Sequence, residues 1–146
     1  MKHTISTITK TEYSQVVRVW EAAVRATHHF LKEEDIAYFK PLILNTYLDA
    51  VEVSCVRNSQ NVILGFSGVA ADGIEMLFVH PEYHGQGIGK ALLTHAITYF
   101  KATKVDVNEQ NPQAVGFYEK FGFKTVKRSP LDASGKPYPI LHMELK

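Results

Sequence analysis

The sequence predicts a mixed α/β domain. Apolar residues recur at helical spacing through the first third of the chain and switch to strand-like alternation in the middle; helices and strands then take turns to the end. A loop with glycine at every second position, Gly85, Gly87 and Gly89, joins a strand to a helix. The chain has 146 residues, 45% hydrophobic and 21% charged, which suits one domain whose core needs no covalent staples.

Thr4–Ile8 reads as a short strand. Thr9 followed by Glu12 has the form of a capping box that opens a helix. Val16, Trp20, Ala23, Val24 and Thr27 then make one stripe at helical spacing. His28-His29-Phe30-Leu31 interrupts it, and a second helix begins in Glu33-Glu34-Asp35, charges that favour a helix N-terminus. Ile36, Phe39, Ile43 and Tyr47 continue that helix, with Pro41 expected to kink or split it. Val51–Arg57 alternates as a strand, Asn58–Asn61 turns, and Val62–Ala70 is the next strand, with Gly65 as a bulge position. Asp72-Gly73 suits a hairpin turn into Ile74–Val79. The glycine loop leads into a helix from Lys90 to Phe100, and Lys104–Asn108 is a short strand. Pro112 suits the first turn of a helix that stops at Gly122. Lys124–Arg128 and Ile140–Leu145 are two closing strands joined by a Pro/Gly/Asp loop. The order is strand, two helices, three strands, helix, strand, helix, two strands, as a single domain over 1–146.

Composition removes several classes of function. Sixteen Lys+Arg against fifteen Asp+Glu leave a formal charge of +1, too small a field to gather nucleic acid or an anionic membrane surface. No basic stripe carries the interleaved aromatics of a nucleic-acid interface. No apolar run approaches the ~20 residues of a spanning helix, and Met1–Thr7 has no apolar core of a secretory signal. Cys55, the single cysteine, excludes an internal disulfide and fits a reducing compartment, so the expected location is cytoplasmic. It stands mid-strand near Val53 and Val56 and reads as a small buried hydrophobe. Seven histidines invite a metal reading, but His80 and His84 are separated by Pro81 and followed by glycines that prevent a helix from aligning them. His28 and His29 are adjacent and diverge, and no metal is expected.

The glycine loop points to a phosphate. Without Cβ atoms the backbone of residues 85–89 can bring several N–H groups to one anion, and the helix N-terminus adds positive potential. Two nucleotide motifs fail on residue type. The pattern G-x-x-x-x-G-K-[ST] would need glycine at His84 and Ser or Thr at Ala91. The dinucleotide pattern G-x-G-x-x-G meets Lys90 or Leu92 at its third glycine. Further on, Asn111, Ala114 and Tyr118 fall on one side of a helix, so a phenol and an amide face the same space, while Phe117 points elsewhere. The plainer readings are a flexible connector for the loop and a core aromatic for Tyr118.

On these residues the chain resembles the GNAT superfamily of acetyl-CoA-dependent N-acetyltransferases. His84-Gly85-Gln86-Gly87-Ile88-Gly89 is similar to the family's [RQ]-x-x-G-x-[GA] pyrophosphate loop, with His84 where Arg or Gln is usual. Asn111-x-x-Ala114-x-x-Phe117-Tyr118-x-x-x-Gly122-Phe123 resembles its second motif throughout, and Leu77-Phe78-Val79-His80-Pro81-Glu82-Tyr83 resembles the strand that enters the loop. The runs Val107–Asn111 and Gly135–Pro139 further resemble small uncharacterised bacterial members, some linked to protein lysine acetylation. The resemblance implies the GNAT acyl-CoA N-acyltransferase fold with a mixed central sheet.

The implied activity is direct transfer of the acetyl group of acetyl-CoA to a primary amine in a ternary complex, with no metal. A lysine-like ammonium has a pKa of ~10.4, so deprotonation at pH 7 costs roughly 4–5 kcal/mol. The tetrahedral oxyanion needs preorganised donors, and the departing thiolate a proton donor. By resemblance Tyr118 is the donor beside the sulfur, and a backbone N–H near Val79, where the fourth and fifth strands splay, is the oxyanion donor. The base is open between Glu75, placed by alternation on the face of Leu77 and Val79, His28, placed by the helix break at the acceptor cleft, and water alone. The expected cofactor contacts are Leu77, Phe78, Val79, His84, Gly85, Gln86, Gly87, Ile88, Gly89, Lys90, Asn108, Asn111, Phe117 and Tyr118. Trp20, Val24, Thr27, Phe30 and Tyr138 are the expected acceptor wall, with a core role the alternative for Trp20 and Val24. The rival is an acyl-CoA-binding module without turnover; use of a longer acyl-CoA is a third reading. The acceptor stays open among a protein lysine, a protein N-terminus, an amino acid, a polyamine and an antibiotic, and the assembly between monomer and homodimer.

Overall fold

Thr9 sets the first helix as its spacing to Glu12 predicts: its N–H donates to Glu12 Oε1 at 3.0 Å across a 3₁₀ turn, Lys10–Glu12. In the computed structural model, which describes residues 3–145, β1 (Ile5–Thr7) precedes this turn and α1 (Tyr13–Thr27) follows it. Met1, Lys2 and Lys146, which belong to the leader reading and the 1–146 assignment, lie outside the described residues. Arg57 clamps the same carboxylate from the next strand, donating at 2.6 and 3.0 Å. The pair pulls Glu12 down to about 2 and ties the start of α1 to the sheet.

α1 buries Val16, Val17, Val19, Trp20, Ala23 and Val24, and it ends at the predicted His28 break. α2 (Glu33–Leu42) passes through Pro41 and continues as a π turn, Ile43–Tyr47, and a 3₁₀ turn, Leu48–Ala50. The kink or split expected at Pro41 is thus a change of pitch just beyond it: the ring removes one intrahelical hydrogen bond. β2 (Glu52–Arg57), β3 (Ile63–Ala70) and β4 (Gly73–Val79) form an antiparallel meander. α3 (Ile88–Tyr99), β5 (Lys104–Asn108), α4 (Pro112–Lys120), β6 (Phe123–Ser129) and β7 (Ile140–Leu145) complete the predicted order. α3 starts two residues before the predicted Lys90, directly out of Gly87.

The strands make one sheet in the order β1-β2-β3-β4-β5-β7-β6. α1 and α2 cover one face, where Val16, Trp20, Ile36 and Phe66 pack with Met76 and Phe78. α3 and α4 cover the other, over Ile74, Val105, Val107 and Phe123. Gly65 sits where β3 meets the start of α3; a Cβ there would lie 2.9 Å from Ile88 Cγ2 and 3.1 Å from the Phe78 carbonyl oxygen. The expected bulge falls beside it, with the β2–β3 register shifting between Val56–Gly65 and Arg57–Ile63.

Two irregularities open the sheet. β4 and β5, its parallel neighbours, pair only at Gly73–Lys104 and Ile74–Val105. A second bulge sets Gly68 opposite Met76 but Val69 opposite Ile74, which leaves Glu75 as an extra residue on β4. Alternation therefore breaks at Glu75: Ile74 joins the α3/α4 core and Met76 the α1/α2 core. The alternation that places Glu75 on the face of Leu77 and Val79 assumes an unbroken strand, and the bulge interrupts it at Glu75 itself.

Candidate active site

Where β4 and β5 part, a cleft of about 550 Å³ runs from the glycine loop to the end of α1. Most of the predicted cofactor residues line it, namely Leu77, Phe78, Val79, His84, Gly85, Gly87, Ile88, Gly89, Lys90, Asn108, Asn111, Phe117 and Tyr118; so do the candidate bases Glu75 and His28. Phe117 lines the cleft although its helical angle points it away from Tyr118.

At the loop end the backbone is shaped as a cradle. Gly85 and Gly87 have φ of +79° and +81°, left-handed values that disfavour any side chain, and a Cβ on either would meet no atom within 4 Å. α3 begins immediately after Gly87 with no side chain capping it, so its first N–H groups are free of intrahelical partners. These residues fit the pyrophosphate of a CoA ester: open space, donors and a helix N-terminus converge there. The Ile88 side chain packs into the core at 1% exposure, which leaves its backbone to face the cleft. Gln86 does not line the cleft. Its carbonyl accepts from His3 Nε2 at 2.6 Å, and the residue borders a separate groove along α3 with Thr94, His95 and Tyr99.

In the middle of the cleft Tyr118 is 6% exposed, and its hydroxyl has no hydrogen-bond partner among the described residues. Burial raises its pKa, so the phenol stays protonated and able to donate. Asn111 caps α4, its Oδ1 accepting from the Ala114 N–H at 3.3 Å.

His28 closes the far end at 8% exposure. Thr27 Oγ1 donates to the Ala23 carbonyl, so His28 Nδ1–H donates to Thr27 at 2.8 Å and Nε2 keeps its lone pair. Burial, with His29 nearby, holds the imidazole at about 4, below its ordinary 6.5. The unfolded imidazole takes up a proton that the folded one refuses between these values, so stability is full above about 6.5 and falls as pH drops toward 4. One such proton gives a slope of up to about 1.4 kcal/mol per pH unit. Urea titrations of wild type and His28→Gln from pH 6.5 to 4 are expected to differ by that slope, the variant being the flatter.

The expected acceptor wall is only partly realised. Thr27 lines the cleft, but Trp20 and Val24 are core residues at 5% and 2% exposure. Phe30 and Tyr138 lie outside the cleft and pack as an aromatic row behind His28, with centroids 5.1 Å (His28–Phe30) and 5.8 Å (Phe30–Tyr138) apart. The Tyr138 hydroxyl donates to Asp35, and Lys136 pairs with the same carboxylate at 2.9 Å, which pins the β6–β7 loop to α2. Sequence reasoning missed Asp106, which lines the cleft from β5, because one polar residue in a short alternating strand reads as solvated. Among the described residues no cluster of three or more His, Cys, Asp or Glu could hold a metal ion, and no helix is long and apolar enough to cross a membrane.

Comparison with known proteins agrees with this geometry. A sequence profile described as "Acetyltransferase (GNAT) domain" matches residues 29–146. The peptidyl-lysine N-acetyltransferase YjaB of Salmonella typhimurium is 39% identical over 132 residues, covering 90% of each chain. The solution structure of apo-form YjaB from Escherichia coli superposes with a TM-score of 0.87 at 34% identity, covering 99% of this chain and 97% of that one. The PaiA N-acetyltransferase from Thermoplasma acidophilum, solved in complex with coenzyme A, shares the fold with a TM-score of 0.73 at 22% identity, over 100% and 99% of the two chains. The chain belongs to the GNAT acetyltransferase family and is an N-acetyltransferase that moves an acetyl group from acetyl-CoA to an amine.

Proposed function

We propose that the acceptor is the ε-amine of a peptidyl lysine, acetylated directly in the cleft between β4 and β5. The observation that carries the reading is the layout of that one cleft: an anion cradle at Gly85 and Gly87, a free phenol in the middle and the carboxylate of Glu75 beyond it. Relatives that are peptidyl-lysine N-acetyltransferases over nine-tenths of their length support the choice of lysine.

The chain's own groups answer the three demands of the chemistry. Gly85, Gly87 and the first N–H groups of α3 hold the pyrophosphate. The His80 N–H donates across to Leu64 of β3 at 2.8 Å, so strand alternation turns the Val79 N–H to the side that β5 has left. An unpaired donor there stabilises the oxygen as the amine nitrogen bonds to the acetyl carbon. As the carbon–sulfur bond breaks, Tyr118 donates to the sulfur, the product thiol ends with a proton, and the second proton that the nitrogen sheds on becoming an amide restores the phenol. Glu75 takes the proton lost by the ammonium, through water. Burial lowers the affinity of His28 for a proton, and it serves as a neutral wall.

Glu75→Gln is expected to lower kcat/KM for a lysine peptide about a hundredfold at pH 7, the lower end of general-base effects. The deficit should shrink as pH rises toward the amine's ~10.4, where the nucleophile is already neutral. A pH–rate profile of the variant that overlays wild type would move the base elsewhere. Acetylation of polyamines or free amino acids, with lysine peptides untouched, would overturn the choice of acceptor.

A further inference from the structure

On the sheet face opposite the α4 core, a hydrogen-bonded chain of three polar side chains ends in the cleft. Asp106 and His142 are cross-strand partners on β5 and β7, with His142 Nδ1 2.7 Å from Asp106 Oδ1. The carboxylate only accepts, so Nδ1 carries the hydrogen; Nε2, at 2.7 Å from Ser129 Oγ, accepts from that hydroxyl in the neutral ring. The flanking Val105 and Val107 are buried under α4, which turns Asp106 to the open side. Its Oδ2 has no partner among the described residues.

The position of Asp106 gives this chain its meaning. Ile74–Val105 is the last paired rung of β4 and β5. Glu75 and Asp106 are the next residue on each strand, and both line the cleft. The cleft is therefore polarised, with Lys90 and the free α3 amides at one end and two carboxylates at the mouth of the splay at the other. The bonding order Ser129–His142–Asp106 is that of a hydrolytic triad, but the direction is reversed: the carboxylate faces the cleft, and Ser129 is not among its lining residues.

We propose that Asp106 is the subsite for the acceptor's ammonium, held in one orientation by His142 and Ser129 and facing Glu75 across the splay. The proposal deepens the lysine reading and rests on it for the natural occupant. Asp106 binds the protonated amine, Glu75 receives its proton, and the freed nitrogen is left beside the acetyl carbon. A carboxylate clamped through one oxygen presents the other at a fixed angle, which selects a primary ammonium over a neutral head of the same length.

The test uses n-butylammonium, the lysine side chain alone, titrated into the CoA-bound protein while the His142 ring is followed by NMR. Saturable shifts of that ring are expected for wild type, with n-butanol producing none. Asp106→Asn is expected to weaken ammonium binding about fivefold, the size of an exposed ion pair, with CoA affinity unchanged. In turnover the same variant should raise KM for the acceptor with kcat held within about twofold, a split that a general loss of structure would not produce. In turnover His142→Phe, which frees the carboxylate to rotate, should raise KM for the acceptor in the same direction by less. Equal binding of butanol, or wild-type ammonium affinity in Asp106→Asn, would overturn the subsite. Ammonium binding without acetylation of any lysine peptide would instead keep the subsite and refute lysine as the acceptor.

Discussion

Gly87→Trp is expected to abolish acetyl-CoA binding while leaving the fold in place. At φ +81° any side chain costs about 1–2 kcal/mol of backbone strain, which a domain of this size survives. Among the described residues no atom lies within 4 Å of a Cβ there, so the new side chain leaves the backbone into open space. The indole instead occupies the space above the α3 N-terminus and denies the anion its backbone donors. Affinity should fall by more than about a hundredfold, equivalent to roughly 2.8 kcal/mol. Calorimetric titration of acetyl-CoA and CoA measures this directly, with circular dichroism confirming that helix content is retained. Gly116→Ala on α4 is the control: a Cβ there also meets nothing within 4 Å, but it lies outside the cleft, so binding should be unchanged. Wild-type affinity in Gly87→Trp would remove the pyrophosphate from this loop.

Tyr118→Phe is expected to lower kcat by about 10²–10³ while the affinity for acetyl-CoA changes little. The phenyl ring keeps the packing of Tyr118 against Phe117 and Phe123, at 5.2 and 5.6 Å between centroids. Only the hydroxyl disappears, and that group has no hydrogen-bond partner among the described residues to leave unsatisfied. Because burial raises the pKa of this phenol, its ionisation should not appear as a limb of the wild-type pH–rate profile below about 10. Single-turnover release of CoA, followed with a thiol reagent, separates this step from binding. Equal kcat in the two proteins would return Tyr118 to a packing role.

These predictions rest on features of very different legibility in the chain. The helical stripe of α1, the capping Thr9 and the glycine alternation are local signals, and each lies where its spacing requires. The grouping of Asn111, Ala114 and Tyr118 follows from two turns of one helix and is legible for the same reason. Glu75 is legible as a residue, whereas its bulge is not, because the bulge is defined by the register of β3 against β4. Asp106 was silent: its significance comes from His142, 36 positions away, and from the point where two strands stop pairing. Gln86 sits inside a motif, and yet its carbonyl bonds His3 on the far side of the loop, an orientation that residue type does not encode. Phe30 and Tyr138 have the composition of a binding wall but pack behind it, because Asp35 holds Tyr138 against α2. Periodicity finds elements and motifs, whereas the acceptor end of the cleft is built from contacts between elements distant in sequence.

The most direct test of the account is acetylation of a lysine-containing peptide by wild type and Gly87→Trp, with free CoA and peptide mass recorded in the same reaction. The account predicts one CoA released for each acetyl group found on a lysine side chain, initial rates that intersect when both substrates are varied, and no product from the variant. Failure of the wild-type protein to bind acetyl-CoA, or CoA release from Gly87→Trp at the wild-type rate, would contradict it.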